Sequence, residues 1–195
     1  IIESFFMEYF MKGIKSEAIK DGSIIASGHS YQSKEPGITI TMNGSYEKQI
    51  TKSQAQENEL IYLSKPLGTG YLLAAYFNNS ELLSSFDFQK LMKWMKKGNK
   101  KISEISKSFK SKITTDISGF GLASHLSDIC KFSGLSAEIK LNEEILINKN
   151  IGILNKFKST GFENNYSSSV NEISISDNNK LSLIHISEPT RPTPI

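Results

Sequence analysis

The period of the apolar residues switches repeatedly along the chain, and this switching constrains the fold more than any other feature. Phe5, Phe6, Tyr9, Phe10, Ile14 and Ile19 recur at roughly helical spacing, which predicts a helix over 1–20 that stops at Asp21-Gly22. Short apolar or β-branched runs follow at 23–26 and 38–42, the second strictly alternating, and both are expected to be strands. Lys34-Glu35-Pro36-Gly37 is a turn signal, and so is Asn43-Gly44. The polar stretch 50–58 is the expected domain boundary. A strand is expected over 60–64, then a turn through Lys65-Pro66-Leu67-Gly68-Thr69-Gly70, then a helix over 71–77. A longer helical stripe runs over 86–109, interrupted at Gly98-Asn99; a helix over 122–132 stops at Gly134, and 137–141 alternates as a strand. After about residue 157 the pattern weakens to Asn and Ser. Strands alternating with helices predict the α/β (α+β) class.

Composition narrows the function classes. The net charge of the 195 residues is only +3, which gives no global electrostatic case for nucleic-acid binding. No apolar run approaches the ~18–20 residues of a membrane span. The N-terminus, Ile1 to Met7, lacks a basic region and a cleavage site, so no signal peptide is expected. Cys130 is the single cysteine, which excludes an intramolecular disulfide and a cysteine-cluster zinc site, and points to a reducing, cytoplasmic compartment. Its place near the apolar stripe of a helix makes it a small core residue, not a nucleophile.

Four segments could carry chemistry. In Thr114 to Leu122 a polar loop leads into a helix start, where outward-facing N–H groups suit an anion and Asp116 is a hard oxygen ligand able to hold Mg²⁺ bridged to phosphates. The same Asp, Ser and Gly residues are also ordinary turn and cap formers. Ser27-Gly28-His29-Ser30, after an expected strand, could cradle a phosphate or an adenine edge, although a lone histidine is more often a packing or surface residue. Lys65 sits in a glycine loop without the full phosphate-loop spacing. The lysines from Lys90 to Lys112 face almost no acid; they fit a nucleic-acid surface or, better, the solvated side of an amphipathic helix.

Order and spacing make these segments informative together. Ser27-Gly28-His29-Ser30, Glu35-Pro36, the run 38–44, Leu63-Ser64-Lys65-Pro66-Leu67-Gly68-Thr69-Gly70, Asn99, Thr115-Asp116-Ile117-Ser118-Gly119-Phe120-Gly121-Leu122-Ala123-Ser124-His125-Leu126, and Asn164 or Asn165 after Thr160-Gly161 resemble the selenide, water dikinase (selenophosphate synthetase) family over residues 10–170. That family lies in the aminoimidazole-ribonucleotide-synthetase-like superfamily. The alternative is another ATP- and Mg²⁺-dependent member of that superfamily, such as a thiamine-monophosphate kinase or a purine-pathway synthetase, against which Lys65–Gly68 and Phe120-Gly121 argue. A different class of reading, a non-catalytic nucleotide-binding module, fits the replacement of a family glycine by Ser27; Ser124 replaces another.

The resemblance implies an enzyme that transfers the γ-phosphoryl of ATP to selenide, yielding selenophosphate, AMP and orthophosphate. It implies a two-domain α/β fold and a homodimer formed through N-terminal domains, with no nucleic-acid or membrane partner. It implies ATP contacts at Ser27, Gly28 and His29 and a Mg²⁺ ligand at Asp116. The family's nucleophilic Cys or selenocysteine, its nearby Lys and its other metal-binding aspartates have no counterpart here, so no catalytic residue is assigned. The chain is therefore expected to be an internal piece, truncated at both ends: residues 1–55 the end of an ATP-binding domain, 56–180 a partial C-terminal α/β domain. Residues 181–195 hold the only arginine, Arg191, and three of the five prolines, and look like a translated sequencing adapter. They are expected to pack against nothing, and His185 to bind no metal.

Overall fold

The computed structural model describes residues 4–32, 34, 37–46, 50–78, 81–150, 153 and 156–174. The turn residues Glu35 and Pro36, and the tail 181–195 with His185 and Arg191, lie outside the described residues. The chain divides into two compact units, Ile1–Lys48 and Gln49–Ile195.

In the first unit, α1 spans Ser4–Asp21. Two ion pairs one turn apart brace its surface: Lys12 with Glu8 at 2.7 Å, and Lys20 with Glu17 at 2.5 Å. Gly22 ends it with φ +77°, a left-handed conformation that costs a glycine little, while the Ser23 amide donates to the Ala18 carbonyl at 2.8 Å. Phe5 packs on Tyr9 with ring centroids 4.6 Å apart, yet both rings remain exposed.

The second unit is built around α2, Thr69–Phe77, which is apolar nearly all round. Tyr71, Leu72, Leu73 and Ala75 are buried, and Leu67, Leu91, Leu146, Ile147 and Ile153 close over them. Leu91 comes from α3, Ser85–Lys96, which begins with a capping box between Ser84 and Asp87. Gly98-Asn99 breaks the helical stripe as expected, and α4 follows over Lys100–Ser108. Lysines on and just after α3 lie over its aromatic rings, Lys90 over Phe86 at 5.0 Å and Lys97 over Trp94 at 4.5 Å. Then come α5, Gly121–Ser133, closed by Gly134 at φ +65°, and α6, Phe162–Ser169. Short 3₁₀ turns occupy Glu143–Ile145 and Val170–Glu172. No helix among the described residues is long and apolar enough to cross a membrane.

The strand expectations are corrected. Among the described residues there is no strand; the one extended pairing is an isolated parallel bridge between Leu67 and Leu146. The Leu67 amide donates to the Ile145 carbonyl at 2.7 Å, and the Ile147 amide to the Leu67 carbonyl at 2.9 Å. The runs 23–26, 38–42, 60–64 and 137–141 form no ladder, and Ile24, Ile40, Leu60 and Tyr62 are exposed. Alternation prepares a face and two edges, but a strand is stabilised only when a neighbour takes its N–H and C=O groups. The α/β expectation thus meets a helical arrangement in the described residues.

Candidate functional site

The Thr115–Leu122 segment has the predicted form of a polar loop entering a helix. The Gly121 amide donates to the Ser118 carbonyl at 3.1 Å, closing a tight turn, and buried Gly121 itself has a left-handed φ of +75°, which a glycine adopts at little cost. Ile117 packs on the core beside α2, which anchors the loop from below. Asp116, one residue earlier, is exposed.

Two side chains from outside the loop hold its backbone. Nε2 of His125, one turn into α5, accepts the Ser118 amide at 3.3 Å and lies 3.3 Å from Ser118 Oγ. In the neutral ring this places the proton on Nδ1, which is buried and has no hydrogen-bond partner among the described residues. Nδ2 of Asn165, from α6, donates to the Gly119 carbonyl at 2.8 Å. Asn164, the alternative left open by the sequence, faces a cleft of about 500 Å³ that Phe120, Ser124, His125, Asp128 and Lys131 also line. Asp116 is not among the residues lining it.

Charges around this cleft are paired. Lys52 Nζ lies 2.7 Å from Asp128, and Ser133 Oγ both accepts the Ala55 amide and donates to the Lys52 carbonyl, each at 3.2 Å. The segment that carries Lys52 is thereby fastened to α5. Lys131 and Ser127 both hydrogen-bond the Glu172 carboxylate and hold its pKa below the ordinary carboxylate value.

Burial pushes the His125 pKa below the ordinary imidazole value, and Lys52 pushes the same way; Asp116 and Asp128 oppose. A histidine with a lowered native pKa contributes stability that is full above its unfolded pKa. That contribution is lost as pH falls from there through the lowered native value. Unfolding of the wild type is therefore expected to become easier below about pH 6.5, and His125→Asn to flatten that dependence. Denaturation midpoints measured from pH 5 to 8, on the order of one step per half pH unit, check this.

Ser27, Gly28 and His29 belong to the first unit, where they form an exposed stretch with no regular structure; a Cβ at Gly28 would meet nothing within 4 Å. Asp116 belongs to the second unit. Lys65 is half-buried and donates from Nζ to the Lys97 carbonyl, so it ties its glycine turn to the end of α3. Cys130 is half-buried, and burial pushes its thiol pKa up, against a nucleophilic role. Among the described residues no group of three His, Cys, Asp or Glu side chains could hold a metal ion. The described residues therefore do not by themselves fit Mg²⁺, to which Asp116 could give one oxygen.

Residues 56–171 match the family model described as AIR synthase related protein, C-terminal domain. The chain is 31% identical over 131 residues to the selenide, water dikinase of Treponema denticola, covering 66% of this chain and 36% of that protein. It is 33% identical over 130 residues to the selenide, water dikinase of Caldanaerobacter subterraneus subsp. tengcongensis, covering 66% and 37%. Selenide, water dikinase 2 of Peptoclostridium acidaminophilum is 29% identical over 131 residues, with the same shares. The match thus spans little more than a third of the length of these relatives. By that match over 56–171, the chain belongs to the AIR synthase related family, through its C-terminal domain.

Proposed function

We propose that this chain is part of a selenide, water dikinase, which transfers the γ-phosphoryl of ATP to selenide and the β-phosphoryl to water, releasing selenophosphate, AMP and orthophosphate. The observation that carries the reading is the Thr115–Leu122 loop, held at Ser118 by His125 and at Gly119 by Asn165, in a chain whose relatives bear that name. In phosphoryl transfer the protein chiefly positions groups and neutralises charge, so a braced loop presenting a carboxylate suits the task.

In this proposal Asp116 would give one carboxylate oxygen to Mg²⁺. Magnesium supplies charge neutralisation at the phosphates when bound. Ser27, Gly28 and His29 contact ATP. Residues 1–55 end an N-terminal ATP-binding domain, 56–180 belong to a C-terminal domain, and the intact enzyme is a cytoplasmic homodimer formed through its N-terminal domains. Cys130 has no part in the chemistry, because its thiol is half-buried and resists ionisation.

The test compares two proteins by ATP consumption with and without selenide. The intact protein is expected to consume ATP in a selenide-dependent manner, and the 195-residue chain alone to be inert. Turnover by the 195-residue chain would contradict the assignment of the nucleophile elsewhere, and selenide-independent turnover by the intact protein would contradict the function.

A further inference from the structure

We infer that Asn165 is a positioning residue for the loop that carries Asp116, acting through its hydrogen bond to the Gly119 carbonyl. The kinetic consequence rests on the proposed function; the structural consequence does not.

Asn165 is only 4% exposed, while Asn164, Ser167 and Ser168 beside it on α6 are exposed. Burying a carboxamide is costly unless its donors and acceptor are satisfied. Its Nδ2 reaches across 46 residues of sequence to the Gly119 carbonyl at 2.8 Å. Its backbone is held at the same time: its amide donates to the Gly161 carbonyl at 3.1 Å, and its carbonyl accepts Ser168 Oγ at 3.0 Å and Ser169 Oγ at 2.7 Å. The carboxamide therefore starts from a fixed point, and its direction is set.

Gly119 lies between the two other constraints on this loop, the Ser118 amide on His125 and the Gly121 amide turned back on the Ser118 carbonyl. An apolar side chain at 165 would fill the same space without orienting the peptide. With Asn165 the peptide plane after Gly119 is fixed from α6, and Asp116 sits three residues upstream on a backbone that cannot rotate freely. Asn165 acts through the loop, by its bond to the Gly119 carbonyl.

Asn165→Asp keeps the shape but removes the donor and sets a carboxylate oxygen against the Gly119 carbonyl. In the intact protein, hydrogen exchange is read on amides of 114–121 and, for comparison, on amides of α2. Loss of one such bond corresponds to about a tenfold rise in exchange over 114–121, with α2 changed by less than about twofold. The same variant is expected to lower kcat about tenfold while KM for ATP moves less than about threefold, because a misplaced group is felt in the transition state. If Asn165→Asp does not fold, Asn165→Ser is read in the same way. Unchanged exchange over 114–121, or a rise shared equally by α2, overturns the inference. Absence of selenide-dependent turnover in the wild type would strike the proposed function instead, leaving the exchange comparison to decide the role of Asn165.

Discussion

Gly68→Ala is expected to destabilise the second unit by about 3 kcal/mol. Two costs coincide there. Gly68 has φ +111°, where an L side chain is strained. A Cβ at that position would also lie 2.3 Å from Cε1 of Tyr71, inside any tolerable contact. Tyr71 cannot move aside: it is 1% exposed, and its hydroxyl donates to the Asn148 carbonyl at 3.0 Å. Nor can the turn move, because Leu67 immediately before it is paired on both sides with Ile145 and Ile147. Relief of the clash must therefore break the bridge or open the core around α2. Gly98→Ala is the control, since a Cβ there meets nothing within 4 Å. Urea unfolding of the two variants checks the difference: a lowered midpoint for Gly68→Ala and a shift of less than about 0.5 kcal/mol for Gly98→Ala.

Asp116→Ala in the intact protein is the second large effect. On the proposed function, Asp116→Ala removes a carboxylate that would hold Mg²⁺ at the phosphates, and a loss of about 100-fold or more in kcat/KM for ATP is expected. Stability is expected to change by less than about 0.5 kcal/mol, since Asp116 is exposed. That separation matters, because an unfolded variant would also be inactive. Glu104→Ala, which removes an exposed carboxylate on α4, is expected to leave both quantities unchanged. Steady-state kinetics with thermal melts on the same preparations check both. Equal losses for the two variants would point to a general effect of net charge.

The fold was legible where its determinants are local. The spacing of Phe5 to Ile19, the Asp21-Gly22 stop, the Gly98-Asn99 break and the Gly134 cap all reappear, within a few residues, as the ends of α1, α3, α4 and α5. Each depends on backbone preferences within one or two turns. Among the described residues the strands did not reappear, because pairing is a long-range property: Leu60 and Tyr62 lie in an apolar run and are still exposed, whereas Leu67, inside an expected turn, makes the one bridge found there. Helix α6 went unread, since its inward positions Phe162, Asn165 and Ser169 include only one large apolar residue. Their spacing of three and four was the available signal.

The site divides the same way. The loop before α5 was readable from Thr115 to Gly121, and so was Asp116 as its carboxylate. The two side chains that brace the loop were less so. His125 was visible as part of a motif but not as an acceptor for Ser118, and the choice between Asn164 and Asn165 depended on which of them α6 turns inward. Such contacts are set by how helices pack, which no short window of sequence contains.

The most direct test of the central claim is a ³¹P NMR product analysis of the intact protein incubated with ATP, Mg²⁺ and selenide. The account expects selenophosphate, AMP and orthophosphate to accumulate in equal amounts, and none of them when selenide is left out. Accumulation of ADP, or of phosphate without selenophosphate, would contradict it.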